Sequence, residues 1–336
     1  MKTNQLILAA ALVVLAACSK ESVTPVVNEP SNEIGFNAVA SKSTKANDAI
    51  ISGTTYGSDN SFKVWGWSSA AGTYSELAAD AASNFMSNLT ISWTKGRDNT
   101  HAEAWRNADN YYYWPMTGKI SFLAFHPSTV APTSVKWDAT NKKGKATLND
   151  YTIAAGNKTT DLMLAVNEGS RSANALPMVF HHALSQIEVK VKTKDDYSAD
   201  VQFDVNSVTF NKIDLSGDMA YANAAFNWSD NEAQTENWLY YDTPMEDISN
   251  TAAVYGAANV MIPQAANAQT TITVNYTMTQ TGCAPISGEV SVAAPQVWVA
   301  GSKYVYTLNF NLNEILFNPS VTGWATVTVD TIDISL

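Results

Sequence analysis

Few residues in this chain of 336 could do chemistry: two cysteines, four histidines and some acidic loops. Cys18 has the most specific setting. It closes the tetrapeptide Leu15-Ala16-Ala17-Cys18, at the end of an apolar run from Leu6 to Ala17 that follows Lys2. A basic start, a short apolar stretch and small residues at its end make an export signal, residues 1–17, too short to span a bilayer as a helix. Small residues directly before a cysteine form a lipobox, at which a signal peptidase cuts so that the Cys18 sulfur can carry a diacylglycerol. Several acyl chains, at about 0.8 kcal/mol per buried CH₂, anchor a protein stably where a single chain would not. With Cys18 acylated, Cys283 is the one thiol left and no internal disulfide can form, so stability must come from packing.

The other chemical groups lead nowhere catalytic. Cys283 sits in the turn-like "QTGCAPISG" with no base in reach and reads as a buried or idle thiol. His181 and His182 are adjacent at a strand entrance and must point to opposite faces, while His101 and His126 stand alone, which is too sparse for a metal site. The acidic stretches at 195–200 and 229–237 lack the spaced ligands and glutamate of a calcium loop. No zinc-protease helix motif, nucleophile elbow, phosphate loop or dinucleotide turn is present. The residues therefore point to no enzyme, no cofactor and no metal. Twenty basic against thirty-one acidic residues give a net charge of -11, which repels nucleic acid.

The elements that would position any site are strands. Ile34, Phe36, Ala38 and Ala40 alternate in "EIGFNAVA", as do Ile187, Val189 and Val191, then Val201, Phe203 and Val205, then Ile272, Val274, Tyr276 and Met278, and Tyr304 through Leu312. A period of two with polar residues between marks half-buried strands of antiparallel sheets. No sustained helical stripe appears. The Ala-rich "SELAADAASNFM" from Ser75 to Met86 is a candidate short helix, and "NTAAVYGAANV" a weaker one. A tether fits residues 18–33, where two prolines and few large apolar groups break all periodicity. The length suits two domains, and the change from Trp- and Tyr-rich to regularly alternating sequence places the boundary at Leu176/Pro177, giving domains 34–176 and 177–336. The fold class expected is all-β, sandwiches in tandem.

Several stretches in this order then carry a resemblance: the lipobox, "STKA" after the first strand, "FKVWGWS", "YYWPMTGKISFLAFHP", "DLMLAV", "LPMVFHHALSQIEVKVK", "VMIPQ", "WVAGSKYVYTLNF" and "VTGWATVTV". Nearly the whole chain from Cys18 onward is similar to the fimbrillin family of Bacteroidales lipoproteins, precursors of type V pilus subunits, including the Mfa-like members. The resemblance implies two transthyretin-like β-sandwich domains and export as a lipid-anchored protein of the outer membrane surface. It further implies removal of an N-terminal strand by proteolysis, and polymerisation with other fimbrial subunits of the same or another kind by strand donation. Adhesion to a host or bacterial surface ligand follows as the role. Relatives matured by an arginine-specific protease carry an arginine after the first strand. Here the first arginine is Arg97, and Lys42 and Lys45 occupy the loop, so cleavage would fall between Lys45 and Ala46. Without a cut the groove would stay plugged, and the protein would be an anchor or a surface lipoprotein instead of a polymerising stalk subunit.

Two readings of the aromatic stretch 111–127 compete. As the wall of a sandwich, "ISFLAF" would be buried on both faces, and four side chains at roughly 1.5 to 3 kcal/mol each would be worth about 6 to 12 kcal/mol. As a rim, Trp65, Trp67, Tyr112 and Trp114 would stack on sugars, the alternative function of a glycan-binding surface lipoprotein. The core reading is favoured. For assembly, Ile34, Phe36, Ala38 and Ala40 form an edge strand whose removal opens an apolar groove, and Ile332, Ile334 and Leu336, on one face of "VDTIDISL", are the candidate donor.

Overall fold

The computed structural model describes residues 32–40, 56–99, 101–154, 159–197, 201–230, 234–265, 267–294, 297–311 and, for its backbone, 314–321. Strands run throughout, and there is no helix among the described residues. In chain order the strands are β1 (Phe36–Ala40), β2 (Ser61–Ser69), β3 (Met86–Thr94), β4 (Ala104–Arg106), β5 (Lys119–His126), β6 (Ser134–Asp138), β7 (Lys143–Thr152), β8 (Met163–Gly169) and β9 (Leu176–His182). There follow β10 (Ser185–Thr193), β11 (Val201–Ile213), β12 (Ser216–Ala222), β13 (Ala225–Asp230), β14 (Glu236–Tyr241), β15 (Ala253–Val254), β16 (Asn259–Met261), β17 (Thr271–Gln280), β18 (Ile286–Ala293), β19 (Lys303–Asn311) and β20 (Glu314–Val321).

The first half is a barrel, closed in the order β1-β4-β3-β2-β5-β8-β9. β5 explains why it is covered. Ile120, Phe122 and Ala124 turn into the barrel, while Leu123 and Phe125 face outward into a second core beneath the sheet β13-β12-β7-β6. Every residue from Ile120 to His126 is buried, as an apolar run covered on two faces requires. The two layers approach closely at Gly144 of β7, where a Cβ would stand 2.6 Å from the Trp67 ring and 2.8 Å from Leu123. Only glycine fits there.

The second half is a sandwich of two sheets. β15-β10-β19-β20, with β16 also on β10, packs against β14-β11-β17-β18. The alternating residues meet between them, with Phe210 and Tyr306 at 5.3 Å and Phe203 and Phe310 at 4.7 Å between ring centroids. β11 serves its sheet through a register shift between Val205 and Ser207, after which Val208 and Phe210 take over the inward face. Such a bulge lets a long strand keep its apolar set on one side.

Several expectations change. The sheets are not wholly antiparallel, because β1 runs parallel to β9 and β10 parallel to β19. The segment "EIGFNAVA" is not a free edge but the strand that closes the barrel. The boundary at Leu176/Pro177 falls on the first residues of β9, which pairs with β1 and β8, and the chain crosses to the second half's sheet only at Ala183 and Leu184. Moreover β12 returns to pair with β7, tying residues 216–222 to the first half. Last, residues 75–85 are turns. Within the segment the backbone closes single turns, Leu77 N–H to Tyr74 O and Ala81 N–H to Ala78 O, each at 3.2 Å. It is bonded to β6 through Asp80 N–H to Trp137 O at 3.0 Å and Trp137 N–H to Ala81 O at 2.9 Å, so tertiary bonds override the helical propensity of the alanines. The weaker helical candidate near 250 holds the short strands β15 and β16.

Candidate strand-exchange site

The site is the seam at which β1 closes the barrel. Along β9 the pairing is complete, from Phe36 opposite Leu176 to Ala40 opposite Phe180. On the other flank, among the described residues, only the head of the segment is held. Ile34 N–H donates to Tyr112 O at 2.7 Å, Trp114 N–H donates to Asn32 O at 2.7 Å, and Phe36 stands opposite Trp105 of β4. Among the described strands none pairs with Asn37 to Ala40 on that side. Among the described residues the tail of β1 is thus bonded on one flank.

Beneath the strand lies a wholly apolar bed. Ile34, Phe36, Ala38 and Ala40 are all buried and belong to one cluster with Phe62, Phe122, Met178 and Phe180. The Phe36 ring meets Phe122 edge-on at 5.3 Å and Phe62 at 5.9 Å. Burying Ile34 and Phe36 stabilises the closed barrel by roughly 1.5 to 3 kcal/mol each. Withdrawing β1 would leave a groove of that shape. The far end of the groove is closed by Tyr56, stacked on Phe180 at 5.0 Å, whose hydroxyl donates to Ser61 O at 3.0 Å and lies 2.7 Å from His126 Nδ1. Burial pushes the His126 imidazole down to about 4 and the Tyr56 phenol up, since neither charged form can be hydrated there.

At the near end stands a buried ion pair. Arg106 Nη1 lies 2.8 and 2.9 Å from the two carboxylate oxygens of Glu33, and Nη2 donates to Ala102 O at 3.1 Å. Both side chains are more than nine-tenths buried, at 5% and 7% exposure. Asn32 and Glu33, expected as the end of the tether, are therefore part of the fold.

Comparison with known proteins sets this seam in a family. The model of the fimbrillin-like family matches residues 44–324. The chain belongs to the fimbrillin-like family. This fimbrillin-like chain is also 21% identical to the fimbrium subunit Fim1C of Phocaeicola vulgatus, over 96% of its own length and 97% of that protein's. Its fold resembles the crystal structure of a fimbrial protein from Bacteroides vulgatus, with a TM-score of 0.65 at 17% identity, covering 87% of this chain and 99% of that one. A candidate cell adhesion protein of Bacteroides uniformis aligns with a TM-score of 0.51 at 16% identity, over 88% and 100% of the two chains.

The fimbrillin-like seam gathers some of the residues singled out in the sequence and leaves others apart. Cys18, Lys45, Ala46, Ile332, Ile334 and Leu336 lie outside the described residues. Trp65, Trp67 and Trp114 do not offer ring faces to a sugar. They are 6%, 0% and 4% exposed, with Trp67 against Trp137 and Trp114 against Phe122. Tyr112 is half-buried beside Phe85. The aromatic platform is thus core, because both faces of the barrel wall are covered. His181 and His182 do point to opposite faces, and His182 Nδ1 lies 2.7 Å from Asp161 in the interior. Among the described residues no three His, Cys, Asp or Glu groups converge to hold a metal ion. Sequence reasoning missed Arg106, Glu33 and Tyr56. Glu33 and Arg106 are 73 residues apart, and only the crossing of β4 beside the β1 segment brings them together.

Proposed function

We propose that this protein is a non-enzymatic fimbrial subunit of the cell surface that assembles by exchanging its first strand. The observation that carries this is the seam itself. β1 plugs an apolar bed with Ile34, Phe36, Ala38 and Ala40, is bonded throughout on one flank and, among the described residues, only at its head on the other, and leads into a polar stretch containing Lys42 and Lys45. A strand held this way can leave without dismantling the sheet, and the vacated groove offers unpaired backbone groups and apolar sockets to a strand from another chain. Family membership and the full-length similarity to a fimbrium subunit support the same reading.

In this proposal the chain is exported, acylated at Cys18 and held at the outer membrane. Cleavage between Lys45 and Ala46 releases the segment carrying β1, and the strand of a neighbouring subunit that bears Ile332, Ile334 and Leu336 takes its place. Three such apolar side chains and a strand of hydrogen bonds at about 1 kcal/mol each supply on the order of 10 kcal/mol before ordering costs, enough for a durable polymer serving adhesion. The partners are other fimbrial subunits and the membrane. N-terminal sequencing of the protein taken from cell surfaces tests the proposal. A start at Ala46 in the polymer is the expected result, whereas an acylated Cys18 throughout the polymer contradicts it.

A further inference from the structure

The ion pair at the head of the groove has a consequence for the partner. Glu33 precedes β1 on the same segment, so when that segment leaves, the Glu33 carboxylate leaves with it. Arg106 stays behind on β4, 4% exposed, with Nη2 on the Ala102 carbonyl and a buried Nε that meets no hydrogen-bond acceptor among the described residues. A guanidinium cannot shed its proton, and a buried cation without a counter-charge is strongly unfavourable. His101, whose Nε2 is 3.8 Å from Glu33, adds no negative charge to replace it. An all-apolar strand would fill the sockets of Ile34 and Phe36 yet strand Arg106.

We propose that Arg106 selects the incoming strand by charge: the strand that replaces β1 brings a carboxylate to the place of Glu33, and Asp333-Ile334-Ser335-Leu336 of a second copy of this chain is the segment that fits. The inference rests on the strand-exchange reading above and adds a register and a specificity to it. Glu33-Ile34-Gly35-Phe36 and Asp333-Ile334-Ser335-Leu336 share one order: acid, isoleucine, small residue, large apolar residue. Laid in the direction of β1, Asp333 meets Arg106 while Ile334 and Leu336 take the sockets of Ile34 and Phe36. Thr331 and Ser335, the neighbouring polar positions of that face, carry no charge, so a two-residue slip in either direction loses the pair.

The test uses the full chain, nicked by a lysine-specific protease, and labelled peptides of residues 324–336. The unaltered peptide is expected to bind, the Asp333→Glu peptide to bind comparably, and the Asp333→Asn peptide to bind about 30-fold or more weakly, the loss typical of breaking one desolvated charge pair. With Arg106→Leu in the acceptor the preference for the acidic peptide should vanish. Because the deciding change is in the peptide, the result does not depend on whether that variant folds. Equal binding of the Asp333 and Asp333→Asn peptides overturns the charge selection while leaving strand exchange standing. Failure of every peptide to bind the nicked chain overturns both.

Discussion

Each half of the molecule contains one parallel strand pair in otherwise antiparallel surroundings, β1 with β9 and β10 with β19, and the two pairs are finished differently. The β10–β19 ladder runs from Gln186 opposite Lys303 to Thr193 opposite Phe310, and both strands are flanked again, β10 by β15 and β16 and β19 by β20. It also carries a largely buried ion pair across the ladder, Lys303 Nζ to Glu188 at 2.7 Å. The β1–β9 ladder is shorter, ends at Ala40, and its ion pair reaches to β4 instead of along the ladder. The same parallel pairing thus makes a fixed central element in one half and a closing strand in the other. What separates them is the second flank. A strand bonded on both sides can leave only if the sheet opens, whereas among the described residues β1 is held by one ladder and its head contacts.

The contrast can be broken or sharpened by experiment. Phe36→Ala should cost about 3–5 kcal/mol, the usual penalty for deleting a buried phenylalanine. Peptide-resolved hydrogen exchange should show the loss over β1, β9 and β4 with β10 and β19 unchanged, and equal loss in both halves would erase the distinction. Acid should act next most strongly, and again on the barrel. His126 is held neutral by burial, down to about 4 against an ordinary 6.5, so between those values the unfolded chain binds a proton that the folded chain refuses. Its stabilisation is complete above pH 6.5 and is lost as the pH falls towards 4, a change on the order of 3 kcal/mol. Urea unfolding across that range should show the slope, and His126→Gln should flatten it. The smallest effect belongs to Lys119–Glu168, an exposed pair at 2.9 Å on the barrel's surface. Lys119→Ala should change stability by less than about 1 kcal/mol, and a larger loss by thermal denaturation would show that exposed pairs, too, hold the barrel closed.

Much of this architecture is legible in the chain. Period-two alternation marks the faces of β1, β10, β11, β17 and β19, and the apolar run in β5 announces a strand covered twice. Alternation reports which face is buried but not which strand lies alongside or in which direction, so the two parallel pairs and the return of β12 to β7 were not foreseeable. The Trp and Tyr side chains of 65–67 and 112–114 suit a core or a rim by composition, the apolar run 120–125 favours the core, and the structure decides for it, with Trp65 and Trp67 under the second layer over β2 and β5 and Trp114 inside the barrel. The alanines of residues 75–85 carry helical propensity, but the backbone bonds to Trp137 exist only once β6 is in place. Glu33 and Arg106 carry no local signal for each other at all.

The central claim, that β1 must leave for subunits to join, can be tested with one staple. Val39 and Val179 stand opposite each other across the β1–β9 ladder, and adjacent strands bring such pairs within disulfide reach. The variant Val39→Cys/Val179→Cys, nicked by a lysine-specific protease, should form boiling-sensitive ladders on gels only after reductant is added, as the unaltered nicked protein does without it. Ladders that form equally with the disulfide closed would contradict the claim.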